Sequence, residues 1–331
     1  MSLRVVHGIE AWRRDGAFAA RRTALAIGNF DGVHLGHQAT LRRVVEHARR
    51  AGSLATAVTF DPHPLKVLRP QHAPKLISTL EQRLEWMEAL GVEAVLLLEF
   101  TRALSLISAE DFTAQVLAGT LHAERIFVGD NFCFGHRHTG DVALLQRLSA
   151  QFGYSVEIVP PVSFRGEIVS STAVRRAVQE GRLGAAARLM ARPFTLTGKI
   201  IDGTGRGRRE VVPTLNLHCD QELLPAQGVY ITEARLLPHG HGGVPHWHPA
   251  ATNVGTRPTF DGTGLSVETH LLDFNAVVSG RAMELRFWKY LRSEKKFATP
   301  AALKKQIESD MSRARAFFRH RSRVGRAKQR A

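Results

Sequence analysis

Apolar residues in the first half of the chain recur in two alternating rhythms. Short runs at Thr23–Ile27, Leu54–Phe60, Ala94–Leu98, Arg125–Val128 and Val156–Val159 have the length and apolar content of buried strands. Helical spacing fills the gaps between them. Leu41, Val44, Val45 and Ala48 recur up to Arg50, and Gly52 supplies a stop. A second helix, Thr79–Leu90, opens on a capping box from Ser78 to Glu81 and ends at Gly91. A third is capped by Ser108, with Asp111 three residues on, and carries Phe112, Val116 and Leu117 before Gly119; Val142–Phe152 is a fourth. This alternation predicts an α/β fold with a doubly wound parallel sheet, in which ligands bind at the carboxyl ends of the strands.

The rhythm changes near residue 190. Phe194–Ile201, Gly228–Leu236, Ala250–Val254, Ser266–Phe274 and Met283–Tyr290 read as strands separated by turn residues, which predicts a small antiparallel β-barrel. Thr299-Pro300 opens a closing helix whose buried face is Leu303, Ile307, Met311 and Ala314. Leu183–Pro193 is the expected junction, giving one domain over 1–184 and a second over 185–318. The segment 319–331 is basic and poor in apolar residues, so it is expected to be a disordered tail.

One stretch concentrates chemistry. Ala26-Ile27-Gly28-Asn29-Phe30-Asp31-Gly32-Val33-His34-Leu35-Gly36-His37 falls where the first strand passes into the first helix. There the free N–H groups and the dipole of a helix start form an anion site. Gly28, Gly32 and Gly36 allow a tight turn and close approach of a ligand, and His34 and His37, three apart, can face one phosphate. No Gly-Lys-Ser/Thr follows, so this is not a P-loop. The stretch resembles the signature of the HxGH nucleotidyltransferase superfamily, which implies that the two histidines stabilise charge on an α-phosphate while pyrophosphate leaves.

Three further segments join it. Thr59-Phe60-Asp61-Pro62-His63-Pro64 ends a strand in a proline-fixed turn. Phe127–Gly135 places Asp130, Asn131 and several aromatics after another strand. Val169-Ser170-Ser171-Thr172-Ala173-Val174-Arg175 offers helix-capping hydroxyls and a guanidinium fork for phosphate oxygens. Together these pieces resemble the FMN adenylyltransferase half of the bacterial bifunctional riboflavin kinase/FAD synthetases. The resemblance implies that Gly28, Asn29, Phe30, Asp31, Gly32, Ser171, Thr172 and Arg175 bind the nucleotide, that His34 and His37 are catalytic, and that Asp130 and Asn131 lie by the adenine or flavin.

The second half carries Gly203–Arg208, Pro213-Thr214-Leu215-Asn216, Gly228-Val229-Tyr230, Asn253–Thr259 and Val267-Glu268-Thr269-His270. Their order and spacing resemble the riboflavin kinase domain of the same family. That implies ATP contacts from Gly205, Gly207 and Arg208, Mg²⁺ coordination by Thr214 and Asn216, and Glu268 as the base for the ribityl hydroxyl. The chain departs from the family's loop at Val211, where a glycine is usual, and at Leu215, where alanine is. A β-branched residue tolerates positive φ poorly, so the kinase is expected to work in an altered form.

Composition narrows the setting. The 331 residues exceed one typical core, and no apolar run is long enough to span a membrane. Met1–Arg22 carries charges throughout and has no apolar core of a secretion signal. Only two cysteines, Cys133 and Cys219, fit a reducing cytoplasm without a disulfide framework. The net charge of +15 favours anionic partners, although much of it lies in the tail, and no membrane or specific nucleic-acid partner is expected. The sequence sets no oligomeric state. Four histidines between Pro238 and His248 are read as a solvated loop rather than a metal site. The reading is therefore a cytoplasmic enzyme that uses riboflavin, ATP and Mg²⁺ to make FMN and then FAD. Its rivals are a nucleotidyltransferase for another small phosphate with a non-catalytic second domain, and a basic RNA-binding protein on an inactive nucleotide fold.

Overall fold

The computed structural model describes residues 2–201, 214–237, 246–259, 262–274, 281–295 and 297–330, with backbone alone at 257–259, 262–265 and 324–330. It divides into two compact units, Met1–Ser171 and Thr172–Ala331. The sequence reading drew its boundary further on, at 184/185.

The first unit opens with β1 (Arg4–His7), a short strand with no place in the sequence reading, followed by helix α1 (Ile9–Arg14). Strand β2 (Thr23–Ile27) runs into helix α2 (Leu35–Ala51), and β3 (Leu54–Asp61) into the short helix α3 (Pro64–Leu68). Helix α4 (Leu80–Leu90), β4 (Ala94–Glu99), α5 (Ala109–Phe112), β5 (Ala123–Gly129), α6 (Val142–Phe152) and β6 (Ser155–Val159) follow. A two-stranded hairpin, β7 (Ser163–Phe164) and β8 (Glu167–Ile168), closes the unit. The third predicted helix is only half α-helical: after Phe112 it widens into a π-turn over Thr113–Ala118. All pairings in the main sheet are parallel, in the order β1-β4-β3-β2-β5-β6. Two cores cover its two faces. Leu25 and Ile27 of β2 point into one with Trp12, Leu96 and Leu145, while Ala24 and Ala26 point into the other with Leu41, Val44 and Met87. That period-two division explains the nearly continuous apolar runs.

The strand order reverses between β2 and β5. Such a switch point leaves a crevice at the carboxyl ends of its two strands. The glycine–histidine turn follows β2, and Asp130-Asn131 follows β5.

The second unit begins with helices α7 (Ser171–Gln179) and α8 (Leu183–Met190); the sequence reading took the stretch occupied by α8 as the junction. Strands β9 (Phe194–Ile201), β10 (Leu215–Cys219), β11 (Gly228–Leu236), β12 (Trp247–Thr259), β13 (Gly262–Leu271) and β14 (Ala282–Arg292) form a closed antiparallel barrel, ordered β10-β13-β12-β11-β14-β9. Phe194, Leu196, Tyr230, Leu285 and Phe287 are buried. Buried hydroxyls there satisfy one another, Thr232 to Thr252 at 2.7 Å and Thr252 to Thr269 at 3.0 Å.

Helix α9 (Pro300–Arg330) packs Met311, Ala314, Phe317 and Phe318 onto Ile231, Leu272, Trp288 and Leu291. It continues through the segment from 319 that composition assigned to disorder. Two contacts tie this end of the helix to the barrel. Arg315 pairs with Asp273 at 2.8 Å, and the Arg321 guanidinium lies 3.3 Å over the Trp288 ring.

Candidate active sites

Helix α2 supplies the frame of the first site. Its N-cap is His34, whose Nδ1 accepts the His37 N–H at 3.4 Å. A neutral ring that accepts at Nδ1 carries its proton on Nε2, which makes that nitrogen a donor. The His34 and His37 rings stack at 3.7 Å, inclined by 20°, and Phe30 meets His37 edge-on at 5.3 Å. Gly36 makes this packing possible: a Cβ there would sit 3.1 Å from the His34 ring.

The turn is held in an unusual backbone shape. Gly32 has φ +74°, and a Cβ at that position would lie 2.9 Å from Ile77. Phe30 at φ +49° and Val33 at φ +34° are non-glycine residues in the left-handed region. Such conformations persist where neighbours over-determine them. Here the Val33 carbonyl accepts from Gln38 Nε2 at 2.9 Å, and its N–H donates to Phe30.

The segment leading into α4 clamps the turn. The buried Asp31 carboxylate accepts from the Ile77 and Ser78 N–H groups and the Ser78 hydroxyl, at 3.0–3.2 Å. The Gly32 N–H donates to Ser78 Oγ at 3.0 Å. Asp31 is thus turned into the protein. The capping box at α4 belongs to Thr79 and Gln82 rather than to Ser78 and Glu81. Ser171 Oγ donates to the Asp31 carbonyl at 3.1 Å, so this hydroxyl binds the turn. Thr172 and Arg175 follow on α7, in the second unit.

Arg83 escaped the sequence reading, and His63 entered it only as part of the Thr59–Pro64 turn, without a role. Arg83, 3 % exposed, donates from Nη1 to the Asn29 carbonyl at 2.9 Å, and its Nη2 lies 3.8 Å from Asp61. Burial pulls its pKa below the usual guanidinium value, while Asp31, Asp61 and Glu81 pull it back. His63 Nδ1 accepts the Leu65 N–H at 3.2 Å, and its Nε2 lies 3.3 Å from the Asn29 amide. The Asn29 atom that faces His63 Nε2 is the amide nitrogen Nδ2, so His63 sets the direction of the Asn29 side-chain amide. Arg83 lies inside an ordinary amphipathic helix pattern, so no sequence signal marks it.

Strand register builds the second site. Glu268 on β13 stands opposite Asn216 of β10 on one side and Asn253 of β12 on the other. Directly opposed residues share a face of a sheet, so these three form one polar row across three strands. Asn216 is buried, and its Oδ1 has no hydrogen-bond partner among the described residues. Asn253 Nδ2 donates to Glu294 Oε1 at 3.3 Å. Thr214 is half-buried at the start of β10. Gly205, Gly207, Arg208 and Val211 lie outside the described residues, as do residues 238–245 of the histidine-rich loop. Among the described residues no cluster of His, Cys, Asp or Glu is arranged to hold a metal ion.

Known proteins share both halves of this architecture. Residues 18–173 match the FAD synthetase family model, and residues 190–318 match the riboflavin kinase model. The bifunctional riboflavin kinase/FMN adenylyltransferase of Escherichia coli K12 is 33% identical over 316 residues, covering 96% of this chain and 97% of that protein. The Pseudomonas fluorescens protein of that name is 36% identical over 297 residues, covering 89% and 93%. A crystal structure described as a macrolide-efflux protein from Streptococcus pneumoniae has a TM-score of 0.82 at 26% identity, covering 95% of this chain and 99% of that one. The relatives extend over both units and over nearly their own full length. The chain belongs to the bifunctional riboflavin kinase/FMN adenylyltransferase family.

Proposed function

We propose that the two activities of this bifunctional enzyme are divided between its units, with adenylyl transfer at the turn after β2 and phosphoryl transfer on the β10–β13–β12 face. The chain phosphorylates riboflavin to FMN with ATP and adenylylates FMN to FAD. The observation that carries the division is the stacked histidine pair at the N-terminus of α2, beside the crevice where the strand order reverses.

In the first unit an FMN phosphate oxygen attacks the α-phosphorus of ATP, and the bond to pyrophosphate breaks. No protein nucleophile is needed, because such transfer rests on positioning and charge stabilisation. His34 Nε2–H and His37 are aimed at the developing charge, together with the N–H groups of the helix start. The turn from Gly28 to Gly32 cradles the phosphates, and Ser171, Thr172 and Arg175 are assigned to ATP on the resemblance of their segment. Asp130 and Asn131, at the other lip of the crevice, are assigned to the adenine or flavin.

In the barrel Glu268 accepts the ribityl hydroxyl proton as that oxygen attacks the γ-phosphorus and ADP leaves. The buried Asn216 Oδ1, without a hydrogen-bond partner among the described residues, supports a hard cation at this point, since an orphaned amide oxygen is costly unless something coordinates it. Thr214 and Asn216 would hold Mg²⁺, which when bound neutralises charge on the ATP phosphates. Gly205, Gly207 and Arg208 are proposed for the nucleotide loop.

A cytoplasmic setting is supported by two unpaired cysteines, Cys219 having its thiol pushed up to about 12 by burial. No helix among the described residues is long and apolar enough to cross a membrane, and no observation here favours the efflux named for the pneumococcal structure. Incubating the protein with riboflavin, ATP and Mg²⁺ and chromatographing the flavins tests the whole reading. FMN followed by FAD is expected. His37→Ala should stop the series at FMN, and Glu268→Gln should stop it at riboflavin while leaving supplied FMN convertible. Equal loss of both steps in either folded variant would overturn the division.

A further inference from the structure

The buried Arg83 has no part in the chemistry described so far, yet it touches the backbone at the point where β2 gives way to the phosphate turn. Its Nη1 donates to the Asn29 carbonyl at 2.9 Å, and Thr59 Oγ1 reaches the same oxygen at 3.4 Å. Its Nη2 faces Asp61, the last residue of β3, at 3.8 Å. Arg83 therefore ties together the ends of the two adjacent strands. Its Nε has no hydrogen-bond partner among the described residues, although the side chain is almost wholly buried. A buried cation with an unsatisfied donor is an expensive way to brace two strands, and a hydrophobic side chain of similar volume would be cheaper.

Peptide planarity gives the contact its consequence. In a trans peptide the carbonyl and the following N–H point in opposite directions. Holding the Asn29 carbonyl toward Arg83 turns the Phe30 N–H away from α4. Phe30 itself has φ +49°, and an N–H entering a left-handed residue is an element of the backbone concavities that bind anions. On the other side of Asn29, its side-chain amide is set by His63. The orientation of both donors is thus fixed from outside the turn.

We infer that Arg83 is a positioning residue for adenylyl transfer: by fixing the Asn29–Phe30 peptide it aims the Phe30 N–H at the ATP phosphates and places a guanidinium behind them. This rests on the assignment of FMN adenylylation to this turn. It distinguishes Arg83 from Asp31 and Ser78, which hold the opposite end of the turn through neutral or negative groups.

The test uses the full-length protein with FMN, ATP and Mg²⁺, and with riboflavin for the kinase step. In Arg83→Ala, kcat for FAD formation should fall about ten- to a hundredfold, the scale of losing alignment at a reacting phosphate, while KM for FMN and riboflavin phosphorylation stay near wild type. Guanidinium ion at non-denaturing concentration should restore part of that kcat in Arg83→Ala and none in His37→Ala. Arg83→Lys, which keeps the charge and one donor, should lie between the alanine variant and wild type, and it carries the test if the alanine variant does not fold. A loss of thermal stability with neither guanidinium rescue nor a lysine intermediate would reduce Arg83 to a structural brace and overturn the inference. So would an unchanged kcat in both variants. A different result marks failure of the underlying assignment: His37→Ala would then make FAD at the wild-type rate.

Discussion

In the α/β unit, the groups proposed to meet phosphate are ends. A strand finishes, a helix starts, and the N–H groups of the helix start, the Asn29 amide and two histidine rings gather at the break between them. In the barrel they are neighbours. Asn216, Glu268 and Asn253 come from within three strands and meet only because the register pairs them. The first arrangement stores its precision in a strained turn clamped by Asp31, Ser78, Gln38 and Arg83. The second stores it in the ladder, where a slip of one residue would send each side chain to the opposite face. A turn site is therefore sensitive to backbone contacts outside the ligand's reach. A ladder site is sensitive mainly to the side chains in its row.

The largest expected effect probes the row. Glu268→Gln keeps the shape and removes the proton acceptor, so riboflavin phosphorylation should fall on the order of a hundred- to ten-thousandfold in a flavin-product assay. A kinase rate at the wild-type value would remove Glu268 from the mechanism. Next comes His37→Ala, which takes one donor from the developing charge. FAD formation should drop about a hundred- to a thousandfold, with FMN formation intact. Gly36→Ala then asks whether the turn site is as sensitive to packing as this contrast requires. Its methyl would press on the His34 ring at 3.1 Å, and adenylylation should slow about tenfold with the kinase unchanged. An unaffected variant would mean that the ring has room to shift. The smallest effect belongs to Val211→Gly, which restores the family's usual glycine in the kinase loop. KM for ATP or riboflavin should fall a few-fold, because glycine lets a loop backbone approach a phosphate more closely. Kinase kinetics identical to wild type would show that this position never approaches the nucleotide.

Legibility in the sequence followed the same contrast. The glycine–histidine turn could be read because its parts are consecutive in the chain. The register of Asn216 with Glu268 was invisible, since 51 intervening residues carry no local sign of who pairs with whom; only the resemblance linked the two. Strand β1 escaped because just one of its four residues, Val6, is buried, and it reads as a polar terminus. Helix α8 was legible in principle, with Leu183, Ala186, Leu189 and Met190 buried at helical spacing, but the expectation of a linker hid it. The arginines of the segment after 318 suggested a solvated coil, whereas helix α9 runs through it to Arg330 and Arg321 lies over Trp288. Ser78 illustrates a subtler limit: a good capping residue stood one position from the real cap because the buried Asp31 needed it more.

Barrel closure has a consequence for how the protein fails. Every strand in the closed barrel has two partners among the described residues, so along the paired stretches no strand edge is left free for another chain. The last join depends on β10, five residues long, paired to β9 and β13. A short strand is the kind of element that detaches by local opening long before the whole domain unfolds. Its departure would bare the edges of β9 and β13 and carry away Asn216 at the same moment. Aggregation and loss of the kinase step are then one event seen by two assays. Whatever binds at Asn216 pins β10 in place by mass action, and so acts as a guard against self-association as well as a participant in catalysis.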